Sequence, residues 1–367
     1  MWQAMKVNER LPRPRTDLAG FQAYRTQQMD AEVRVHANEW AEPNPAGGYL
    51  GAAELDRILL NRYPTAPASA DLRETLARQL GVEPGQLIFG NGSNEVLLET
   101  FLVFGGHGRR TLLFQPTYSM HARLTQIAGG TAVDETIGLP YDVTMERALA
   151  AVARAAPAIV CFTTPNNPTG GLIDERVILA VAERHPDTLV LVDEAYSDFS
   201  GTTIVPALPD HPNIVVAKTF SKVRAAAGLR LGILIVHPRL AEIFRAVQLP
   251  YSVSPLTLAV GAKIAKRTDD LRRRVAECAA ERDRVSAALA AAPGVEVFPS
   301  VTNFILFRLT ERAPAEVHAK FLEHSILLRD ISSWSGCAGC LRVSIGTPAE
   351  NDRVIAAIAA VFSLVRA

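Results

Sequence analysis

Apolar residues fall along this chain in two spacings, and their alternation predicts its architecture. From Asp71 to Leu80, leucines at 72, 76 and 80 share one helical face, with Gly81 placed to end the helix. Elsewhere short, uninterrupted apolar runs read as strands: Leu87–Phe89, Thr111–Phe114, Ala158–Phe162, Leu189–Val192, Ile214–Ala217 and Leu231–Val236. Helical patterns such as Glu95–Phe104 and Glu175–Glu183 lie between several of them. Runs that do not alternate suit strands covered on both faces, so the pattern predicts an α/β fold with a mostly parallel sheet flanked by helices. After Pro255 an alanine-rich, charged helical stretch runs to about Ala291. Short strands at Phe304–Phe307 and Leu341–Ile345 then alternate with helices, as in a smaller α+β domain. The first 50 residues carry prolines at 12, 14, 43 and 45 and the pair Gly47-Gly48, and read as an arm. The expected organisation is an arm over 1–50, a large domain over 51–255 and a small C-terminal domain over 256–367.

Composition narrows the class. The chain has 367 residues, 48% apolar and 21% charged, enough to bury large cores, which excludes disorder for most of it. Its 38 basic side chains balance 38 acidic ones, which argues against a nucleic-acid or membrane-surface binder. No apolar stretch of about 18 residues occurs, and the first 30 residues lack the apolar core of a signal peptide, so a soluble, cytoplasmic protein is expected. The four cysteines are Cys161, Cys278, Cys337 and Cys340. The last two form a C-x-x-C without a second pair, and no H-E-x-x-H occurs, so no metal is expected and that segment reads as a loop with two reduced thiols.

Candidate chemistry gathers just after the strands, where parallel sheets bind ligands. The segments are Gly90-Asn91-Gly92-Ser93-Asn94, Pro116-Thr117-Tyr118, Thr163 to Gly170, Asp193-Glu194-Ala195-Tyr196 and Lys218-Thr219-Phe220-Ser221-Lys222. The first is a glycine turn opening a helix, an anion site by its N–H groups and dipole. It lacks the third glycine of a dinucleotide fingerprint, and a plain capped helix start fits it equally. Asp193 ends a buried strand and so requires a cationic or N–H partner. That partner is either a structural salt bridge or a protonated ring nitrogen. Lysine is scarce, six residues against 32 arginines, yet Lys218 and Lys222 share one strand end. A Schiff-base amine has to be lysine, since arginine stays protonated. With Thr219, Ser221, Arg224 and Arg230 nearby, the alternative is a cation-rich pocket for phosphate.

Taken jointly, Asn167-Pro168-Thr169-Gly170, Asp193-Glu194-Ala195-Tyr196 and Ser221-Lys222 followed by Arg230 resemble the fold-type I pyridoxal-phosphate aminotransferases. Within them the chain is most similar to the histidinol-phosphate aminotransferase family. The segments that carry this are Asn38-Glu39, Arg62-Tyr63-Pro64, Gly90 to Glu95, Pro116-Thr117-Tyr118-Ser119-Met120, Asn303-Phe304, Arg329-Asp330 and Leu341-Arg342. The resemblance implies pyridoxal 5'-phosphate as cofactor and Lys222 as the Schiff-base lysine and proton carrier. It implies that Asp193 keeps the pyridine nitrogen protonated, so that the ring takes up electrons. Asn167 and Tyr196 would bond the phenolic oxygen, and Tyr118 would stack on the ring. Ser93, Asn94, Thr219, Ser221 and Arg230 would hold the phosphate, joined by Tyr63 from a neighbouring subunit of a homodimer. Arg342 and Arg329 would grip the anionic group of the substrate, with Tyr24 and Asn38 as further contacts.

The implied reaction moves an amino group from histidinol phosphate to 2-oxoglutarate, in histidine biosynthesis. An aromatic amino-acid donor, or decarboxylation of an amino-acid phosphate, is the alternative on the same fold. Two departures bear on the substrate. The arm reads Asn38-Glu39-Trp40-Ala41-Glu42-Pro43, where the family has a proline-containing segment directly after Asn-Glu, and Arg224 interrupts the small-residue run after the lysine.

Overall fold

The computed structural model of the chain describes residues 15–18, 21, 23 and 29–363. Its strands are β1 (Val33–Arg34), β2 (Leu87–Asn91), β3 (Arg110–Gln115), β4 (Thr131–Thr136), β5 (Ile159–Thr163), β6 (Leu189–Asp193), β7 (Ile214–Thr219), β8 (Leu231–Val236), β9 (Val295–Val297), β10 (Phe304–Leu309), β11 (Ile326–Leu327), β12 (Arg329–Asp330) and β13 (Cys340–Ser344). Seven form the central sheet in the order β2-β8-β7-β6-β5-β3-β4. β3 to β7 run parallel, and β8 lies antiparallel to both of its neighbours, β2 and β7. The carboxyl ends of β2, β3, β5, β6 and β7 therefore share one edge.

Every residue of β5, β6 and β8 is buried, as unbroken apolar runs require. Within β6, Val190 and Val192 enter the core on one face of the sheet while Leu189 and Leu191 enter the core on the other. β4 has no such run. It is the edge strand Thr-Ala-Val-Asp-Glu-Thr, with no residue fully buried, and for that reason its apolar pattern gives no strand signal.

The helical stretch after Pro255 is two helices, Pro255–Lys266 and Thr268–Ala290, broken at Arg267. Asp269 and Asp270 in the first turn of the second helix favour a fresh N-terminus there. The first helix packs on Ala70–Leu80 and puts Leu258, Ile264 and Ala265 into the core of the sheet domain. The second puts Cys278, Val285 and Leu289 into the core of the small domain, with Phe304, Phe307, Phe321 and Val343. The two cores thus part at Arg267, beyond the boundary expected at 255. The small domain holds the sheet β12-β13-β10-β9, antiparallel throughout.

The arm is also tied down. β1 pairs in parallel with β11, and Val33 and Val35 are buried in the small-domain core. Cys337 and Cys340 are free and buried, in a small cluster with Phe298, Leu306 and Ile331, and the Cys340 sulfur lies 3.8 Å from the Tyr141 hydroxyl.

Leu72 has no exposed surface and lies where the helix of residues 70–80 meets Pro255–Lys266. Leu72→Ala is expected to lower unfolding free energy by about 2–5 kcal/mol, the usual loss for a leucine cut back in a core that relaxes incompletely. Equilibrium denaturation of the two proteins measures it.

Candidate active site

The common edge of β2, β3, β5, β6 and β7 opens into a cavity of about 290 Å³. Its wall is built from Ser93 and Asn94 after β2, Tyr118 after β3, Thr163 and Asn167 at β5, Asp193 and Tyr196 at β6, and Thr219, Ser221 and Lys222 at β7. Arg230 closes the corner before β8. The small domain and the arm supply the remaining wall, with His36, Asn38, Glu39, Arg329, Trp334 and Arg342.

One corner is shaped for a dianion. Gly232 faces Gly90 on one side and Thr219 on the other. A Cβ on Gly232 would strike the Gly92 carbonyl and the Ser93 amide, and one on Gly92, at φ +83, would strike the Arg230 guanidinium. Only glycines allow the helix start at Ser93, the Arg230 fork and the hydroxyls of β7 to meet. Thr219 Oγ1 lies 3.0 Å from Ser221 Oγ, which Arg230 Nη1 approaches at 3.4 Å. Two hydroxyls, a guanidinium and a helix N-terminus fit a phosphate monoester.

Asp193 sits in another part of the cavity, 3% exposed, on the last residue of β6. Its Oδ1 accepts the Ala195 N–H at 3.0 Å, and Oδ2 lies 3.0 Å from His121 Nε2. Burial works against a charge on His121, but the adjacent Cys161 sulfur and the Asp193 carboxylate outweigh it and hold the imidazole pKa up at about 10. The pair is an imidazolium against a carboxylate. A carboxylate whose oxygens accept N–H donors in this way suits a protonated ring nitrogen. His121 is invisible to spacing arguments, because 72 residues separate it from Asp193. The one clue in the chain is that it follows Tyr118 by three residues, at the start of the next helix.

Lys222 Nζ donates to the Asn38 carbonyl at 3.2 Å and lies 5.3 Å from the centre of the Tyr196 ring. Asn38 joins all three parts of the wall. It stands at φ +55, a left-handed conformation that asparagine tolerates better than most residues. Its Nδ2 donates to the Tyr196 hydroxyl at 2.8 Å, its backbone N–H donates to Ser344 Oγ, and its Oδ1 accepts from the same hydroxyl. Its side chain, expected to touch substrate, is thus engaged with Tyr196 and Ser344. Tyr118 donates to Asn94 Oδ1 at 3.2 Å.

Arg329 and Arg342 face each other across β12 and β13, so both guanidinium groups project from one face. Arg342 is 5% exposed, donates to the His36 carbonyl at 2.8 Å and to Asn167 Oδ1, and covers the Phe304 ring at 5.2 Å. With Oδ1 so occupied, the Asn167 Nδ2 is the end of that amide available to a ligand. Burial, with help from Arg329, Arg34 and Arg342 and against Glu39, lowers the His36 pKa, so that imidazole is neutral at pH 7. His36 and Trp334 belong to the wall without any motif that marks them.

Three positions stand apart. Tyr63 is 76% exposed and stacks on Tyr251 at 4.5 Å, outside this chain's own cavity. Arg224, read from the sequence as a possible part of a phosphate pocket, instead pairs with Asp198, Nε to Oδ2 at 3.2 Å. Tyr24 lies outside the described residues.

Residues 30–358 match the family model for aminotransferase class I and II. The chain is 38% identical over 358 residues to the histidinol-phosphate aminotransferase of Streptomyces avermitilis, covering 94% of this chain and 95% of that protein. Among solved structures, the histidinol-phosphate aminotransferase of Sinorhizobium meliloti in complex with pyridoxal-5'-phosphate matches with a TM-score of 0.81, at 25% identity over 92% of each chain. The enzyme of that name from Clostridium acetobutylicum matches with a TM-score of 0.83 at 19% identity, covering 91% of this chain and 100% of that one, a likeness of fold.

The His121–Asp193 pair makes stability depend on pH. The imidazole pKa is raised above its ordinary 6.5, so its contribution is complete below about 6.5 and is lost as pH rises through about 10. Melting temperature is expected to fall across that interval, and His121→Gln to flatten this part of the curve. Thermal melts of both proteins over the pH series test it.

Proposed function

The chain belongs to the class I and II aminotransferases and, within them, to the histidinol-phosphate aminotransferase family, and from this we infer that it transfers the amino group of histidinol phosphate to 2-oxoglutarate. The observation that carries the reading is the meeting of Lys222, Asp193, Asn167, Tyr196 and Arg342 around one cavity. The cofactor of the reading is pyridoxal 5'-phosphate. When bound, it supplies an aldehyde that condenses with amines and a ring that accepts the electrons released at the substrate carbon.

The residues divide the remaining work. Ser93, Asn94, Thr219, Ser221 and Arg230 hold the cofactor phosphate in the glycine-walled corner. The Asp193 carboxylate, backed by His121, keeps a proton on the ring nitrogen. Asn167 Nδ2 and the Tyr196 hydroxyl hold the phenolic oxygen, and Tyr118 covers a ring face. Lys222 Nζ moves the proton at the substrate carbon.

Arg342, with Arg329 beside it, binds the anionic group of each substrate in turn. A guanidinium fork accepts either a phosphate monoester or a carboxylate, which one site shared by two half-reactions requires. Asn38 orients Lys222 and Tyr196 together, through its carbonyl and its amide.

The reading extends to a homodimer in which Tyr63 reaches the phosphate of the neighbouring subunit. Supporting it, Tyr63, Leu59 and Leu60 are exposed at 76%, 59% and 78%, an apolar surface that a second copy would cover. The reaction belongs in the cytoplasm on this reading. Among the described residues no helix is long and apolar enough to cross a membrane.

Purified protein given histidinol phosphate and 2-oxoglutarate is expected to form glutamate. Brisk turnover of phenylalanine without histidinol phosphate, or carbon dioxide release from an amino-acid phosphate, would replace the substrate assignment. Lys222→Ala is expected to lower transamination by about 10²-fold or more, the range lost when a positioned proton carrier is removed. It should still retain cofactor through the phosphate corner, seen by equilibrium dialysis. Near-normal turnover of that variant would refute the role of Lys222.

A further inference from the structure

Arg224 stands out in the sequence and is turned away from the cavity. Its Nε lies 3.2 Å from Asp198 Oδ2, and its guanidinium covers the Phe220 ring at 4.8 Å. The other oxygen of the same carboxylate, Asp198 Oδ1, lies 3.8 Å from Lys218 Nζ. Lys218 precedes Lys222 by four residues and Arg224 follows it by two. One carboxylate therefore ties the two ends of the segment that carries the reactive amine.

The tie is itself anchored. Lys218 Nζ lies 2.9 Å from Glu194 Oε2 and donates to Ser197 Oγ. Glu194 in turn accepts Thr203 Oγ1 at 2.6 Å and the Ile204 N–H at 2.7 Å. Asp198 lies on the short turn Ser197–Ser200 directly after Tyr196, whose ring the Lys222 amine overlies. Side-chain exposures of 12% for Lys218, 1% for Glu194, 25% for Asp198 and 15% for Arg224 keep these pairs from being screened like surface ones. Against the effect of burial, Arg224 and Lys218 hold the Asp198 carboxyl below its usual range, so it is ionised.

The segment needs such a tie because it crosses between two bodies. Phe220 and Ala226 are buried in the core of the sheet domain, and Val223, next to Lys222, is buried in that of the small domain. The chain doubles back there, with Ala225 at φ +54 and its N–H bonded to the Lys222 carbonyl at 2.8 Å. Small shifts of either body would carry the amine with them.

We propose that Asp198 is a positioning residue for Lys222, gripping the segment 218–224 at both ends and fixing the amine over Tyr196. It touches neither substrate nor cofactor. The proposal rests on the reading of Lys222 as the reacting amine. Misplacing a reacting group by about 1 Å can cost about 10²-fold in rate, so a loosened tie lowers kcat and leaves substrate binding nearly intact.

The test uses the enzyme loaded with pyridoxal phosphate, as wild type, Arg224→Met, Arg224→Lys and Asp198→Asn. Arg224→Met and Asp198→Asn are expected to lower kcat about tenfold with KM within about twofold. They should also weaken the visible circular dichroism of the bound cofactor relative to its absorbance. Arg224→Lys, which keeps a cation opposite Asp198, should restore much of both. If Arg224→Met does not fold, Asp198→Asn against Arg224→Lys gives the same contrast. Wild-type kcat and dichroism in variants whose melting temperature alone has dropped would reduce the tie to a structural one and overturn the proposal. A wild type that shows no visible band with added cofactor would overturn the underlying reading of Lys222 instead.

Discussion

A sheet buried on both faces has no room for polar side chains along its strands, because each would need a partner in a dry core. Such groups are left the strand ends. Here the parallel arrangement of β2 to β7 brings five of those ends to one edge, while β8 returns antiparallel and hands Arg230 to the same corner. Asp193 shows the constraint at its sharpest, as a carboxylate one residue beyond Val192 in a strand without exposed surface. It is stable there because His121 and the Ala195 N–H meet both of its oxygens. In the proposed reading, the same pairing readies it to hold a proton on the ring nitrogen.

The second half of the site is brought by elements far away in sequence. β12 and β13 present Arg329 and Arg342 side by side, and the arm meets them from the other side, its His36 carbonyl accepting from Arg342 and its Asn38 carbonyl from Lys222. That meeting depends on β1, only two residues long, pairing with β11 and burying Val33 and Val35. The arm is thus part of the small domain in packing, and the cavity lies where the two bodies meet. In the proposed reading, the guanidinium groups of one body would bind the substrate anion and the Asp193 carboxylate of the other would face the cofactor ring.

The sheet strands were legible because each is a compact apolar run between turns, and β4 was not, because the edge strand Thr-Ala-Val-Asp-Glu-Thr has no apolar run and no fully buried residue. The helix break at Arg267 was hidden for a related reason. Alanine-rich sequence on both sides favours helix, and only the packing of Leu258 on one body and Val285 on another separates the two. That the residues at the strand ends share one cavity was legible because they sit in short contiguous motifs. His121, His36 and Trp334 lacked any motif, and their placement comes from neighbours 72 and 306 residues distant or from the shape of the cavity.

Local order along the chain determined which residue types stand at each strand end, since a strand, its turn and the following helix start are set by neighbouring residues. It also determined that Lys222, among so few lysines, stands one strand along from Asp193. What tertiary structure alone decided is how those ends are joined: that the Asp198 carboxylate lies against both Lys218 and Arg224, on either side of Lys222, and that Asn38 bridges arm, lysine and tyrosine. Such contacts depend on the relative placement of separate packed bodies, which is a property of many burial energies summed together and is written in no single segment.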